Sequence, residues 1–173
     1  MEVTFFRHGI AVDRADPLAP VDFERPLTID GKNKTESAAR GLRALGVRPA
    51  LVVSSPFKRC VQSARLVAQV LGLSKKAVRE LEVLSPTADP HALWSELALA
   101  GHESVLCVGH GGAIEPAAGA ALGFEDPSSE AVFRTLHLKK AGALQLDVRF
   151  EPGLSAQLSW LVSPKVLRQI GRV

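Results

Sequence analysis

The chain has 173 residues, 46% hydrophobic and 23% charged, the make-up of one soluble domain that buries about 70% of its unfolded surface. A net charge of +3 favours anionic partners only weakly, and the scattered Lys and Arg residues form no dense run or aromatic-interleaved motif of the nucleic-acid-binding kind. The longest apolar runs, such as Ala50 to Val53, fall far short of the ~20 residues of a membrane span, so a cytoplasmic protein without membrane or nucleic-acid partners is expected.

In chain order, Glu2 to Phe6 reads as a short buried strand, followed by a polar loop to about Thr28 that contains Pro17, Pro20 and Pro26. Thr28 and Asp30 are candidate N-caps of a helix that Gly46 stops. Ala50 to Ser54 is a second strand, continuous in apolar residues. Phe57 to Leu71 places Val61, Ala64, Val67 and Leu71 largely on one helical face, with Gly72 as a C-cap. A short strand is expected over Val78 to Leu81, and a helix from Asp89-Pro90 to Ala100 with Pro90 at its first position. Ser104 to Val108 is a further buried strand, and Ala113 to Leu122 a helix whose first turn must hold Pro116. Beyond it, Val132 to Leu138, Ala143 to Phe150 and Ala156 to Val162 alternate as two or three strands. The order predicts one α/β domain over residues 1–173, a three-layer sandwich with a mixed, mostly parallel central sheet flanked by helices. Cys60 and Cys107 stand outside any Cys-x-x-Cys pair and read as small buried thiols.

Parallel sheets hold ligands beyond the carboxyl ends of their strands, and there the sequence is unusual. The first strand ends in Arg7-His8-Gly9, the second in Ser54-Ser55-Pro56 with Lys58 and Arg59 just beyond, and the third long strand in Gly109-His110-Gly111-Gly112. Two arginines and two histidines would converge on one rim with no evident partner in the intervening sequence. Such a cluster repels itself unless an anion sits within it, and the arginine fork matches phosphate oxygens. A neutral imidazole can attack phosphorus, and the remaining groups can hold the charge that develops. No metal is required. Gly9 suits a close backbone approach to a ligand or a positive φ.

These three motifs, with Ser54-Ser55-Pro56-x-x-Arg59-x-x-Gln62 as the second, resemble the histidine phosphatase superfamily with its phosphoglycerate mutase-like fold. The short length, Leu84-Ser85-Pro86 and the ending Trp160-Leu161-Val162-Ser163-Pro164 resemble its small branch, the SixA-type phosphohistidine phosphatases. The resemblance implies a metal-independent phosphatase without cofactor, in which His8 becomes phosphorylated, Arg7 and Arg59 bind the phosphoryl group and His110 completes the pocket. Gly9, Ser55 and Gly111 are expected to line the bound group. The implied partner is a phosphate-bearing substrate, notably a phosphohistidine protein of signalling or phosphotransfer.

Many superfamily members carry an Asn in the loop after the first motif and a Glu general acid after the second. Ile10 to Arg14 contains no Asn, and Glu80 and Glu82 lack the usual context, which leaves them, Asp89 and Glu115 as the candidate acids. A phosphoramidate leaves as imidazole and needs little protonation, whereas an ester relies on an acid worth ~10²–10⁴ in rate, so the pattern tilts toward a P–N substrate. Taken singly, Ser55 reads as a helix cap rather than a nucleophile, Lys58 as a solvated helix residue, and His91, His102 and His137 as surface or structural. Glu115 either orients a pocket group or simply occupies a favourable helix N-terminal turn. Two alternatives stand: a broad-specificity phosphomonoesterase of the same superfamily, and a phospho-ligand binding module without turnover. A mutase is weaker, because residues that would hold and reorient a bisphosphate are not evident.

Overall fold

In a computed structural model, which describes residues 1–172, six strands form one sheet. They are β1 (Glu2–Arg7), β2 (Leu51–Ser54), β3 (Val78–Glu80), β4 (Ser104–Gly109), β5 (Ala143–Arg149) and β6 (Ser155–Val162), in the spatial order β3-β2-β4-β1-β5-β6. The first four run parallel, β5 is antiparallel to β1, and β6 is antiparallel to β5. The expected mixed, mostly parallel sheet is thus the one observed.

Alternation along the strands divides two cores, because successive side chains point to opposite faces. Val3, Phe5, Val53, Val105 and Cys107 face one side, where α3 (Ala92–Ala100), α4 (Gly111–Ala121) and α5 (Glu130–Thr135) cover them. Phe6, Val52, Leu106 and Val108 face the other, beneath α1 (Ile29–Ala44), α2 (Lys58–Val70) and α6 (Pro164–Ile170). Phe5 meets Trp94 edge to face at 5.9 Å, and the Trp94 Nε1–H donates to the Ala117 carbonyl at 2.9 Å. Full burial of each such ring contributes roughly 1.5–3 kcal/mol. Among the described residues no helix is long and apolar enough to cross a membrane.

Local signals explain most boundaries. The Thr28 hydroxyl accepts from the Gly31 N–H at 2.9 Å and caps α1, while Asp30 lies in the first turn and pairs with Lys34 at 2.7 Å. Gly46 and Gly72 follow α1 and α2 at φ +83° and +82°, a conformation that stops a helix and that glycine adopts without penalty.

Three expectations need correction. Val132 to Leu138 is not a strand: α5 occupies its first half, started at Ser129 and braced by a Glu130–Arg134 ion pair at 2.7 Å. Only Leu136 to Leu138 keeps the alternating burial, and Leu138 bonds to side chains of the site instead of to the sheet. Helix α3 begins at Ala92, not at Asp89-Pro90, because the Asp89 carboxylate accepts from the His91 N–H at 2.9 Å and holds those residues in a turn. Pro116 is the sixth residue of α4, not part of its first turn, because the helix starts immediately after His110. Helix α6, which the alternating pattern of the C-terminal third does not announce, starts at Ser163-Pro164. The Ser163 hydroxyl caps it, and Pro at the first helical position loses no bond.

Candidate active site

The ends of β1, β2 and β4 are tied together by backbone bonds: the His8 N–H donates to the Gly109 carbonyl at 3.0 Å and the Ser55 N–H to the Val108 carbonyl at 2.9 Å. This brings Arg7, His8, Arg59 and His110 to one rim. The two imidazole rings meet edge to face with centroids 5.2 Å apart, and an Arg59 Nη2–H donates to His110 Nδ1 at 3.3 Å. His8, Arg59 and His110 are buried, and Arg7 is half-buried.

Hydrogen-bond chemistry assigns the tautomers. His8 Nδ1 lies 2.8 Å from the Gly9 carbonyl, which only accepts, so Nδ1 carries the proton and Nε2 keeps its lone pair. His110 Nδ1 accepts from a guanidinium that only donates, so its Nε2–H donates to Ser55 Oγ at 3.0 Å. Burial lowers the His8 pKa well below its ordinary value; the bond to Gly9 opposes this, and the charges of Arg59 and Arg7 add to it. His110 is lowered to about 3, by burial first and then by Arg59. Both rings are neutral at physiological pH, the state that nucleophilic attack requires.

Two helices position these groups. The Ser63 hydroxyl donates to the Arg59 carbonyl at 2.7 Å and accepts from the Gly9 N–H at 3.0 Å, while Gln62 Oε1 accepts from the Leu27 N–H at 2.7 Å. The first turns of α2 thereby clamp the loop that follows β1. On the other side, a Cβ on Gly111 would lie 2.9 Å from Arg7 Cζ, so the absent side chain lets the guanidinium rest against the start of α4. Arg7 Nη1 donates to the Leu138 carbonyl at 2.7 Å.

Other expected positions resolve differently. Gly9 lacks a positive φ, and its close approach is to α1, where a Cβ would meet Thr35 Oγ1 at 2.2 Å; with its N–H already held by Ser63, it serves packing. Ser55 is not the helix cap: Phe57 precedes α2 without a side-chain cap bond, and the Ser55 hydroxyl is engaged with His110. Lys58 is exposed and pairs with Glu24 at 3.2 Å. Cys60 and Cys107 are buried. The Cys60 Sγ is 3.4 Å from His110 Nε2, and burial, against the charge of Arg59, pushes this thiol up to about 12.

The cationic cluster is not without a partner, contrary to the sequence expectation. Arg59 donates to the Asp22 carbonyl at 2.7 Å and to its carboxylate at 3.2 Å, and the same carboxylate takes Arg25 at 2.6 Å and Arg14 at 2.9 Å. Partial burial would raise the Asp22 pKa, but the bonds from Arg25 and Arg14 and the charge of Arg59 outweigh it and hold the carboxyl far below its usual range. Asp22 lies in a proline-flanked loop on a single 3-10 turn (Asp22–Glu24). Its spacing to Arg25 was the one local signal, and nothing near it in sequence points to Arg59.

Glu115 is buried behind Arg7. Its Oε1 accepts from the Leu138 N–H at 3.2 Å, its Oε2 has no partner among the described residues, and burial pushes it up to about 7. Arg7 and Glu115 therefore grip the two sides of one peptide residue. The other acid candidates sit elsewhere: Glu80 faces Arg65 at 3.9 Å, Glu82 accepts from Ser85, and Asp89 holds His91.

Comparison with known proteins places this geometry. Residues 3–84 match the model of the histidine phosphatase superfamily (branch 1). An uncharacterized protein of Picosynechococcus is 32% identical over 96% of this chain and 99% of its own length. The protein histidine phosphatase SixA, solved with tungstate, superposes with a TM-score of 0.79 at 27% identity over 96% of this chain and 99% of that one. A mycobacterial glucosyl-3-phosphoglycerate phosphatase shares the fold, with a TM-score of 0.68 at 20% identity over 95% and 98% of the two chains. The chain is a phosphatase that belongs to the histidine phosphatase superfamily, in its small SixA-type branch.

Proposed function

We propose that this phosphatase removes the phosphoryl group from phosphohistidine on other proteins, with His8 as the nucleophile. The observation that carries the mechanism is the bond from His8 Nδ1–H to the Gly9 carbonyl, which leaves Nε2 bare beside two arginines and a neutral His110. Nε2 attacks phosphorus, the P–N bond of the substrate breaks, and its electron pair leaves with the substrate imidazole. Water then attacks the phosphorus of phospho-His8, the P–Nε2 bond breaks, and inorganic phosphate departs. Arg7, Arg59 and the His110 edge stabilise the charge spread over the transferring oxygens. Tungstate, the oxyanion in the SixA relative, has the shape and charge of phosphate and is expected to compete for this pocket.

Preference for a P–N bond follows from the carboxylates. Asp22 is held ionised by three arginines and carries no proton to donate at neutral pH. Glu115, raised to about 7 by burial, lies on the N–H side of Leu138, opposite the carbonyl that Arg7 holds; Glu82 and Asp89 are bonded elsewhere, and Glu80 faces Arg65 at 3.9 Å. An imidazole leaving group tolerates that arrangement; a sugar alkoxide loses the ~10²–10⁴ an acid supplies.

The test is a panel of phosphohistidine peptide, phosphoserine peptide and sugar phosphates, assayed with EDTA present, with acid-free trapping of labelled enzyme and a His8→Ala control. The expected result is turnover of phosphohistidine at least a hundredfold above the esters, label on His8, and no turnover by the variant. Faster hydrolysis of sugar phosphates would overturn the substrate, and equal activity in His8→Ala would overturn the mechanism.

A further inference from the structure

A cleft of about 520 Å³ opens beside the site, and Arg7 forms part of its wall. Lys34 of α1, His137, Lys139 and Lys140 of the segment before β5, and Arg168 of α6 line it together with the uncharged Ile10 and Pro164. None of its lining residues is acidic, and the neighbouring carboxylate, Asp30, is bound to Lys34 at 2.7 Å. A protein with a net charge of only +3 thus gathers five permanent cations from distant parts of the chain, Arg7 of the candidate site among them, around one cleft.

The two lysines are held in place by the site itself. Arg7 donates its N–H to the Gly142 carbonyl at 3.1 Å, and its own carbonyl accepts from the Ala141 N–H at 2.9 Å. Ala141 is buried and takes φ +60°, a left-handed conformation uncommon for a residue with a Cβ. Strain of this kind persists where the surroundings over-determine it, and here the turn that carries Lys139 and Lys140 is fastened to the backbone of the phosphoryl-binding arginine.

We infer that this cleft docks an acidic surface of the protein that bears the phosphohistidine, an inference that rests on the substrate proposed above. A small anionic ligand is not what the cleft fits. Such sites enclose most of their ligand with a few placed polar groups, whereas His137, Lys139 and Lys140 are exposed and keep their heads in water. Exposed charges around an opening steer an oppositely charged macromolecule and raise its association rate, with strong dependence on salt.

The test uses two phosphohistidine peptides that differ only in flanking Asp or Lys residues, with wild type and a Lys139→Glu/Lys140→Glu/Arg168→Glu variant. A neutral Lys139→Ala/Lys140→Ala variant guards against misfolding, and p-nitrophenyl phosphate reports basal turnover. At low ionic strength wild type should favour the Asp-flanked peptide by roughly tenfold in kcat/KM. High salt should shrink the preference, the neutral variant should reduce it, the charge-reversed variant should invert it, and basal turnover should hold. The unphosphorylated Asp-flanked peptide should also inhibit p-nitrophenyl phosphate turnover in wild type and not in the reversed variant. Equal rates on both peptides, a matching fall in basal turnover, or an oligonucleotide that competes better than the acidic peptide would overturn the docking surface. If neither peptide is cleaved while the acidic peptide still competes, the substrate proposal falls and the docking surface stands.

Discussion

Asp22 and Glu115 are two carboxylates with opposite electrostatic fates beside the same pocket. The Asp22 carboxylate keeps Arg59 in place, and Asn would retain its shape while removing its charge. Asp22→Asn should lower kcat about tenfold, since small misplacement of a positioning group is costly. Inhibition by inorganic phosphate should tighten at the same time, because the pocket becomes more positive. Steady-state kinetics with phosphate as inhibitor separates the two effects, and a raised phosphate inhibition constant would contradict the role. Glu115 makes the opposite case, with a folded pKa of about 7 against an ordinary 4.5. Between those values the native state holds the proton more tightly than the unfolded chain. Its stability contribution is therefore fully present below about pH 4.5 and is lost as pH rises through 7. Glu115→Gln keeps an acceptor for Leu138 without the ionisation. It should flatten the difference in melting temperature between pH 5 and pH 8, with the variant the more stable of the two proteins at pH 8. An unchanged pH dependence in thermal melts would show that Glu115 titrates normally.

At the scale of elements, helices α2 and α4 work as rigid brackets for loops that carry the chemistry. Gln62 and Ser63 explain why the second motif continues past its arginine: they hold Leu27 and Gly9. The start of α4 works by absence, since Gly111 leaves room for the Arg7 guanidinium. Gly111→Ala should displace that flexible side-chain end at little structural cost. kcat/KM should fall by about a hundredfold, with the midpoint of urea unfolding nearly unchanged; a large loss of stability with activity retained per folded molecule would refute this. The segment Val132 to Leu138 shows how an element is misread from pattern alone. Its alternation is genuine at Leu136 and Leu138, but the backbone groups of Leu138 go to Glu115 and Arg7 instead of a neighbouring strand.

Across the whole molecule, one sheet separates two cores and brings three strand ends to a single rim. Phe5 and Phe6 are adjacent in sequence yet anchor opposite faces, so β1 is braced from both sides directly before His8. Phe5→Ala removes the ring that meets Trp94 and should cost about 3–5 kcal/mol, a large part of the 5–15 kcal/mol typical of a domain. Urea unfolding should show a markedly lower midpoint, and a shift equivalent to less than about 1 kcal/mol would mean that the core closes around the gap.

By itself the sequence determined the six observed strands, the helices α1 to α4 between them and the convergence of Arg7, His8, Arg59 and His110, because these follow from hydrophobic periodicity and from where parallel strands must end. Tertiary structure alone decided what those four residues meet. Asp22 reaches Arg59 across 37 positions, Arg7 reaches Leu138 across 131, and Glu115 reaches Leu138 across 23. No local period encodes such contacts, since they depend on loops whose paths are set by the packing of the elements they join. The same holds for the four cations beside Arg7 (Lys34, Lys139, Lys140 and Arg168), which come from separate parts of the chain and are assembled only by the fold.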